Sequence, residues 1–335
     1  MIKALRLGYA ALLFALSILI TGCQDHSPAL PSDIDKVSKS DQGWPRTIVT
    51  SKGPVTLNAA PKRIVSTSVT MTGTLLAINA PITASGATIP NTNISDDQGF
   101  LRQWSDVAKQ RNLGVLYQTE PDAEAVVAAK PDLILVAQTG GDSARQLYDQ
   151  FKAIAPTVVL RYDNKSWQEL ALLFGDFLGL EQQAQQAIAH YQQDVEQFKR
   201  DVTLPPQPTT AMVYYADNTG ANIWTQESAQ GRTLQELGFQ LANIPDSVRG
   251  NISMGVRNDI VIASGEQFAD AVSGNTLLLF AAGNEQVPAV KQNSYLEQTP
   301  SVQRNAVYAV GNDTFRMDYF SSRNLVARLT DLFGQ

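Results

Sequence analysis

Short apolar runs alternate with amphipathic stretches along the chain from Trp44 to about residue 180. The run Leu133–Ala137 is apolar throughout, as is typical of a parallel strand that is buried on both faces. Segments with helical spacing and turns rich in Gly, Pro and Asp separate such runs, and this order predicts βαβ units. We therefore predict a first α/β lobe over residues 46–180. Its expected elements are a hairpin at 47–57, strands at 63–67, 133–137 and 157–160, and helices at 71–78, 124–129 and 144–154.

A long amphipathic helix is predicted over residues 181–202, which contain neither Gly nor Pro. Its larger apolar residues recur every three or four positions, at Ile188, Tyr191, Val195, Phe198 and Val202. Beyond it, a second series of strands and helices predicts another α/β lobe over residues 203–335. Two α/β lobes that are joined by one stiff helix imply a cleft between the lobes.

The N-terminal residues have the pattern of an export signal. Lys3 and Arg6 precede the apolar segment Leu7–Ile20, which is too short to span a membrane. The segment ends in Leu19–Cys23, which resembles a bacterial lipobox, where the cysteine is acylated and becomes the mature N-terminus. A plain signal peptide with a leftover cysteine is the alternative. We predict a lipoprotein signal peptide over residues 1–22, lipidation at Cys23 and a flexible polar tether over residues 23–45.

Composition narrows the chemistry that the protein can perform. The 26 Lys and Arg residues against 32 Asp and Glu residues give a net charge of -6, which argues against a broad nucleic-acid surface. One Cys and two His exclude a CxxC redox motif and a multi-histidine metal cage. The sequence contains no GxSxG, HExxH, GxxxxGK[ST] or GxGxxG motif. We therefore predict no catalytic residues, no metal ligands and no cofactor, and we expect any bound metal to arrive inside its own chelator.

Arginines and aromatic residues in predicted loops are the remaining candidates for a binding site. A guanidinium group is planar, permanently charged and weakly hydrated, and it stacks on aromatic rings. It therefore suits an anionic aromatic ligand better than an ammonium group does. A surface ion pair for each arginine and core packing for each tryptophan are the competing interpretations. The candidates are Arg102, Trp104, Trp224, Arg257, Arg316 and Tyr319.

Six stretches of the chain carry a family resemblance: residues 61–81 (PKRIVSTSVTMTGTLLAINAP), 96–111, 129–144, 162–170, 222–239 and 312–322 (NDTFRMDYFSS). They closely resemble the ferric-enterobactin-binding family of periplasmic proteins, the receptors of ABC importers for siderophores. The likeness covers nearly the whole chain from Trp44 onward. It implies two three-layer α/β lobes joined by one long backbone helix, the class III fold of periplasmic binding proteins. It also implies a ferric catecholate siderophore as the ligand, an inner-membrane permease with its ATPase as the partner, and no enzyme activity.

The chemistry of such a ligand would account for the candidate residues. A tris-catecholate siderophore surrounds iron with its own oxygens and is a trianion, so its receptor needs cations and stacking surfaces instead of metal ligands. The resemblance places Trp224, Arg257 and Arg316 in the cleft between the lobes. It makes Arg102, Trp104 and Tyr319 their neighbours.

Receptors of this family dock on the permease through one acidic residue on each lobe. Glu124 matches the first of these positions, and Glu236 is the candidate for the second. Asn93 is a departure, because a close relative carries arginine in this loop, so a related catecholate or a linear breakdown product stays open as the ligand.

Other ligands and another class of protein also stay open. Haem, cobalamin and hydroxamate siderophores are alternative ligands, and an envelope hydrolase is the alternative class. The protein is expected to be a monomer in the periplasm, with no nucleic-acid partner, held at the inner or the outer membrane by its lipid.

Overall fold

Two five-stranded sheets, one in each half of the chain, form the framework of the protein. The computed structural model describes residues 34–215, 217, 219–248 and 258–334. The predicted signal peptide, Cys23 and Arg257 lie outside these residues.

A small antiparallel sheet precedes the first large one. Its strands are β1 (Val37–Lys39), β2 (Arg46–Thr50) and β3 (Gly53–Leu57), in the order β1-β2-β3. The β2–β3 hairpin is the one that the sequence predicts, and Thr50 Oγ1 donates to the Gly53 carbonyl across its turn at 2.9 Å. Strand β1 lies inside the range that was assigned to the tether. Lys39 on this strand pairs with Asp176 and Glu181 at 3.0 Å each, and no local pattern reveals contacts between residues so far apart in sequence.

The first large sheet is entirely parallel. Its strands are β4 (Ile64–Ser66), β5 (Ile82–Ala87), β6 (Gly114–Gln118), β7 (Leu133–Ala137) and β8 (Thr157–Leu160), in the order β6-β5-β4-β7-β8. The helices of this lobe are α1 (Val69–Ala77), α2 (Arg102–Gln110), α3 (Ala123–Ala129), α4 (Tyr148–Ile154) and α5 (Trp167–Leu178). Because the chain winds outward from β4 in both directions, the winding reverses between β4 and β7, where open α/β sheets bind ligands.

Side-chain caps fix where three of these helices begin. Ser68 caps α1 and Asp122 caps α3, each by accepting a hydrogen bond from a backbone amide of the first turn. Ser166 and Glu169 form a reciprocal capping box at the start of α5. Helix α5 ends at Gly179, whose φ of 76° is a left-handed conformation that favours glycine.

The 21-residue helix α6 (Glu181–Asp201) carries the chain from the first sheet to the second. Tyr191, Val195 and Phe198 are buried on one face, as the spacing of apolar residues predicts. The last helix, α11 (Tyr319–Phe333), packs against α6 and also against α1 and α2. The chain therefore returns to the first lobe after it completes the second sheet.

The second sheet is mixed. Its strands are β9 (Thr209–Tyr214), β10 (Gly220–Trp224), β11 (Ile260–Ser264), β12 (Thr276–Leu279) and β13 (Val307–Ala309), in the order β11-β10-β9-β12-β13. Strand β10 runs antiparallel to β9 and β11, whereas β12 runs parallel to β9 and β13. The helices of this half are α7 (Ala229–Glu236), α8 (Gln267–Ala271), α9 (Val287–Lys291), α10 (Pro300–Gln303) and α11.

The predicted fold class is confirmed: two α/β lobes are joined by a long helix. Several predicted boundaries differ from the observed ones by one or two residues, and the largest difference is at α4, because residues 145–147 form a 3₁₀ turn and the helix begins only at Tyr148. The sequence did not predict β5, β6 or α2. Strand β5 reads ITASGA, and such small and polar residues form no apolar run. Within the described ranges, no helix has both the length and the apolar composition that crossing a membrane requires.

Candidate functional site

A cavity of about 620 Å³ lies between the two halves of the chain. The first half contributes residues 139–141, which follow β7, and residues 161–164, which follow β8. The second half contributes Glu227 and Arg232 near the start of α7, and Arg316 ahead of α11. The loops of the first half follow the carboxyl ends of parallel strands, the edge at which open α/β sheets bind ligands.

Among the described residues, three arginine side chains line this cavity, and each is held differently. Arg161 forms a forked pair with Asp163, with Nε to Oδ1 at 3.1 Å and Nη2 to Oδ2 at 2.8 Å. This hydrogen bonding lowers the pKa of Asp163 and raises the pKa of Arg161. Arg232 Nη1 donates to the backbone carbonyl of Glu227 at 2.5 Å.

Arg316 presents its charge beside an aromatic ring. Its guanidinium lies 5.1 Å from the ring centroid of Phe315, which is a cation–π distance. In the part of the chain that the structure describes, its side chain forms no ion pair. The cavity also contains the carboxylates of Asp163, Glu227 and Asp259, and Asp163 is already paired with Arg161. The half-buried Arg316 therefore offers a positive charge that no described carboxylate neutralises.

A smaller cavity of about 220 Å³ adjoins the larger one, because Gly141 and Arg316 line both. Its other walls are mainly apolar or aromatic, and several of them lie at or just beyond the carboxyl ends of β4, β5 and β6. They include Val69, Ala87, Ile94, Leu101, Tyr117 and Phe315. Together the two cavities place a charged region beside an apolar one, an arrangement that suits a ligand with both anionic and aromatic parts.

Asp142 connects the loops on which these cavities are built. Its Oδ2 accepts hydrogen bonds from Ser68 Oγ at 2.5 Å and from the Thr70 amide at 3.0 Å, at the start of α1. Its Oδ1 accepts a hydrogen bond from Tyr162 Oη at 2.9 Å. Burial, and then the charge of Asp142, raise the pKa of Tyr162, so its hydroxyl stays protonated and donates. The loops after β4, β7 and β8 are thereby fixed to one another.

Gly140 permits this arrangement. Its φ is +94°, and a Cβ atom at this position would lie 1.8 Å from Tyr162 Oη. Only glycine leaves room for the tyrosine hydroxyl to reach Asp142.

The structure brings few of the predicted site residues together. Arg316 lines both cavities. Trp224 ends β10 three residues before Glu227, with its side chain 7% exposed, and its indole N–H has no hydrogen-bond partner among the described residues. Arg102 is exposed and donates to the carbonyl oxygens of Thr92 and Asn93 at 2.8 and 2.9 Å, so it holds the loop that lies beside the smaller cavity.

Trp104 and Tyr319 lie away from the cavities of the cleft. The sequence suggested that Trp104 lies in a loop. It lies instead on the buried face of α2, where it is fully buried against Phe100 with ring centroids 5.3 Å apart. Tyr319 begins α11 and lines a separate groove between α6 and α11, where its hydroxyl accepts a hydrogen bond from Arg323 at 3.0 Å. Arg257 lies outside the described residues.

The two acidic residues predicted to dock on a permease differ in availability. Glu124 is exposed in the first turn of α3. Glu236 is half-buried, and its carboxylate accepts a hydrogen bond from Tyr191 Oη at 3.0 Å.

Sequence reasoning missed Arg161, Tyr162 and Arg232. The first two follow directly after the predicted strand at 157–160, so the rule that ligands bind at the carboxyl ends of parallel strands could have indicated them. Arg232 lies on a helix that begins after the predicted loop at Trp224, and only its place in the fold distinguishes it from any exposed arginine.

Comparison with known proteins shows where the chain belongs. A family model described as "Periplasmic binding protein" matches residues 64–314. The chain belongs to the periplasmic binding protein family. Members of this family bind ligands for transport and are not enzymes, and the same holds for this periplasmic binding protein.

Individual relatives support the same assignment. The ferric enterobactin-binding periplasmic protein FepB of Escherichia coli O6:H1 is 49% identical over 321 residues, which are 96% of this periplasmic binding protein and 98% of FepB. The crystal structure of holo-ViuP is 33% identical, with a TM-score of 0.79, and the match covers 87% of this chain and 96% of that one. Staphylococcus aureus SirA complexed with staphyloferrin B shares the fold at 18% identity and a TM-score of 0.66, with 85% and 97% of the two chains covered.

Proposed function

We propose that the protein is the periplasmic receptor of an ABC importer and that it binds a ferric catecholate siderophore in the cavity between its lobes. The observation that carries the proposal is the cavity itself, which three described arginines line: Arg161 at the carboxyl-terminal edge of the parallel sheet, and Arg232 and Arg316 from the second half of the chain. The name of the 49% identical relative, a ferric enterobactin-binding protein, supports the class of ligand.

Among the described residues three arginines and three carboxylates line the cavity, so its attraction for an anion depends on arginines that form no ion pair, such as Arg316. A trianionic chelate loses hydration when it enters a cleft, and only cations and hydrogen bonds offset that cost. Arg316 supplies a guanidinium that stacks on Phe315 and has no carboxylate partner among the described residues. The adjoining apolar cavity supplies surface for an aromatic ring or for the neutral part of the chelate.

In this proposal the siderophore alone holds the iron. Among the residues that the structure describes, no group of three or more His, Cys, Asp or Glu is placed to hold a metal ion. The residues that line the cavity therefore recognise the outer surface of the chelate and supply no ligand to the metal.

Titration of tryptophan fluorescence tests the proposal. Ferric enterobactin, a ferric hydroxamate and haem are each added to the protein and to two variants, Arg316→Gln and Arg304→Gln. Arg304 is exposed and lines none of the cavities described above, so its variant controls for the loss of one positive charge.

Saturable quenching by ferric enterobactin is the expected result. Loss of a charge-assisted contact costs roughly 1.5–3 kcal/mol, so Arg316→Gln should weaken binding about 10- to 100-fold while Arg304→Gln leaves it nearly unchanged. Quenching by haem or by the hydroxamate alone would mean that the protein is a receptor for that ligand and not for a catecholate. Absence of quenching by all three would contradict the proposal.

We propose that Glu124 docks on the inner-membrane permease. It is exposed at the start of α3, whereas the carboxylate of Glu236 is engaged by Tyr191. Glu124→Gln should reduce stimulation of the transporter's ATPase and leave the affinity for the siderophore unchanged. Glu120→Gln, which removes another exposed carboxylate from the same lobe, is the control.

We propose that a lipid on Cys23 holds the receptor, as a monomer, at a membrane facing the periplasm. The lipobox-like Leu19–Cys23 supports this proposal. In cells, the wild-type protein should fractionate with membranes, and Cys23→Ser should release it into the soluble periplasmic fraction. Membrane association of both proteins would contradict the anchor.

A further inference from the structure

The residues just ahead of β1 contact the loop that follows β8. Asp35 Oδ2 and Lys165 Nζ form an ion pair at 2.5 Å, with the two side chains only 12% and 15% exposed. The Asp35 amide donates to the carbonyl of Val49 on β2 at 2.8 Å, so the acid is fixed to the small N-terminal sheet. An ion pair so sheltered from solvent restricts the position of both of its partners.

Lys165 belongs to a turn whose other residues line the larger cavity. Its amide donates to the Tyr162 carbonyl at 3.2 Å, and its Nζ also donates to Asn164 Oδ1 at 3.0 Å. Arg161, Tyr162, Asp163 and Asn164 all line the cavity, whereas Lys165 does not. The ammonium group thus joins the outer side of this turn to the N-terminal segment.

We propose that Asp35 is a positioning residue for the ligand site: by holding Lys165 it fixes the 161–164 turn in the conformation that receives the siderophore. The inference rests on the proposed function. Because coupling between two sites is reciprocal, bound siderophore should in turn stabilise the segment that contains Asp35.

The direction of the change in ligand affinity in Asp35→Asn distinguishes a positioning role of Asp35 from a purely electrostatic effect of its charge. Removing a negative charge near the cavity, and freeing the ammonium of Lys165, should by Coulomb attraction alone tighten the binding of an anion. Loss of positioning should weaken it. The backbone does not confuse the result, since Asp35 has a φ of +66° and asparagine accepts this left-handed conformation as readily as aspartate does.

The affinity for ferric enterobactin and the melting temperature are measured for the wild type, Asp35→Asn and Lys39→Met. Lys39 lies on β1 and pairs with Asp176 and Glu181, away from the 161–164 turn, so its variant removes two other ion pairs of the same small sheet. We expect Asp35→Asn to weaken binding about fivefold or more, a typical coupling between sites. Lys39→Met should leave the affinity unchanged, whatever its effect on the melting temperature.

A double-mutant cycle with Lys165→Met tests whether the effect passes through the lysine. In that background Asp35→Asn should cause little further loss of affinity, because the contact is already broken. Hydrogen exchange gives the reciprocal measurement: ferric enterobactin should slow exchange in the peptide that covers residues 34–40 of the wild type and should do so less in Asp35→Asn.

The outcomes distinguish this inference from the proposed function. If the wild type does not bind ferric enterobactin, the proposed function fails. If the wild type binds and Asp35→Asn binds equally well or more tightly, the positioning role is wrong. An equal loss of affinity with and without Lys165 would also overturn it.

Discussion

Replacing Asp318 with asparagine should change how the stability of the protein depends on pH. Asp318 caps α11 and is only 2% exposed. Its Oδ1 accepts from the amides of Phe320 and Ser321 at 2.9 and 3.0 Å, and its Oδ2 accepts from Gln103 Nε2 at 3.1 Å. Gly73 on α1 packs so closely that a Cβ there would lie 2.3 Å from this oxygen. Within the described residues no basic side chain pairs with the carboxylate.

The magnitude follows from the pKa of this carboxyl. Burial, opposed only in part by these hydrogen bonds, raises the pKa of Asp318 from 3.8 to about 6. A carboxyl whose pKa is higher in the folded than in the unfolded state binds its proton more tightly when folded. Its contribution to stability is therefore complete below about pH 4 and is lost as the pH rises through about 6. At roughly 1.4 kcal/mol per pH unit, the loss amounts to about 3 kcal/mol.

Denaturant unfolding at several pH values between 4 and 7.5 measures this contribution. In Asp318→Asn the titrating group is absent, so the free energy of unfolding of the variant, relative to the wild type, should rise by about 2–3 kcal/mol across this range. Asp41→Asn, at an exposed turn, is the control for the loss of one carboxyl. A difference for Asp318→Asn that does not change with pH would refute the reasoning.

Two further predictions concern the cleft. Gly140→Ala should destabilise the protein by about 1–2 kcal/mol and weaken siderophore binding, because the added Cβ displaces Tyr162 and the φ of +94° disfavours alanine. The control Gly141→Ala, with nothing within 4 Å of its Cβ, should leave the melting temperature nearly unchanged. Asn93→Arg should tighten the binding of ferric enterobactin up to about tenfold in a fluorescence titration, since it adds a guanidinium beside Ile94 of the smaller cavity. The control Gln186→Arg, on the exposed side of α6, should leave the affinity unchanged. Equal affinities for both variants would place Asn93 out of reach of the ligand.

Local patterns were sufficient to predict the main elements of the fold. Each pattern reflects which face of an element is buried: the apolar run of β7 indicates a strand buried on both faces, and the spacing of Tyr191, Val195 and Phe198 indicates one buried face of α6. Strand β1 could not be predicted in this way, because it is three residues long and Lys39 pairs with Asp176 and Glu181, more than 130 positions away. Interactions over such sequence distances leave no periodicity in the chain.

The site was harder to predict than the fold. Trp104 has polar neighbours in the sequence, so the pattern indicated a loop, although the residue lies on the buried face of a short helix. Arg161 and Arg102 are both arginines near the ends of elements, yet one lines the cleft and the other holds backbone carbonyls of a loop. Only the three-dimensional fold separates such residues, because charge and residue type are the same in both.

The return of α11 to the first lobe affects how the chain can fold. Leu325 and Leu329 of this helix share one hydrophobic cluster with Met71 of α1 and Trp104 of α2, more than 200 positions earlier. Until the last helix has been synthesised, the parts of α1 and α2 that pack against α11 lack that cover. A fragment that ends after α6 would therefore expose part of the core that α11 covers in the whole chain.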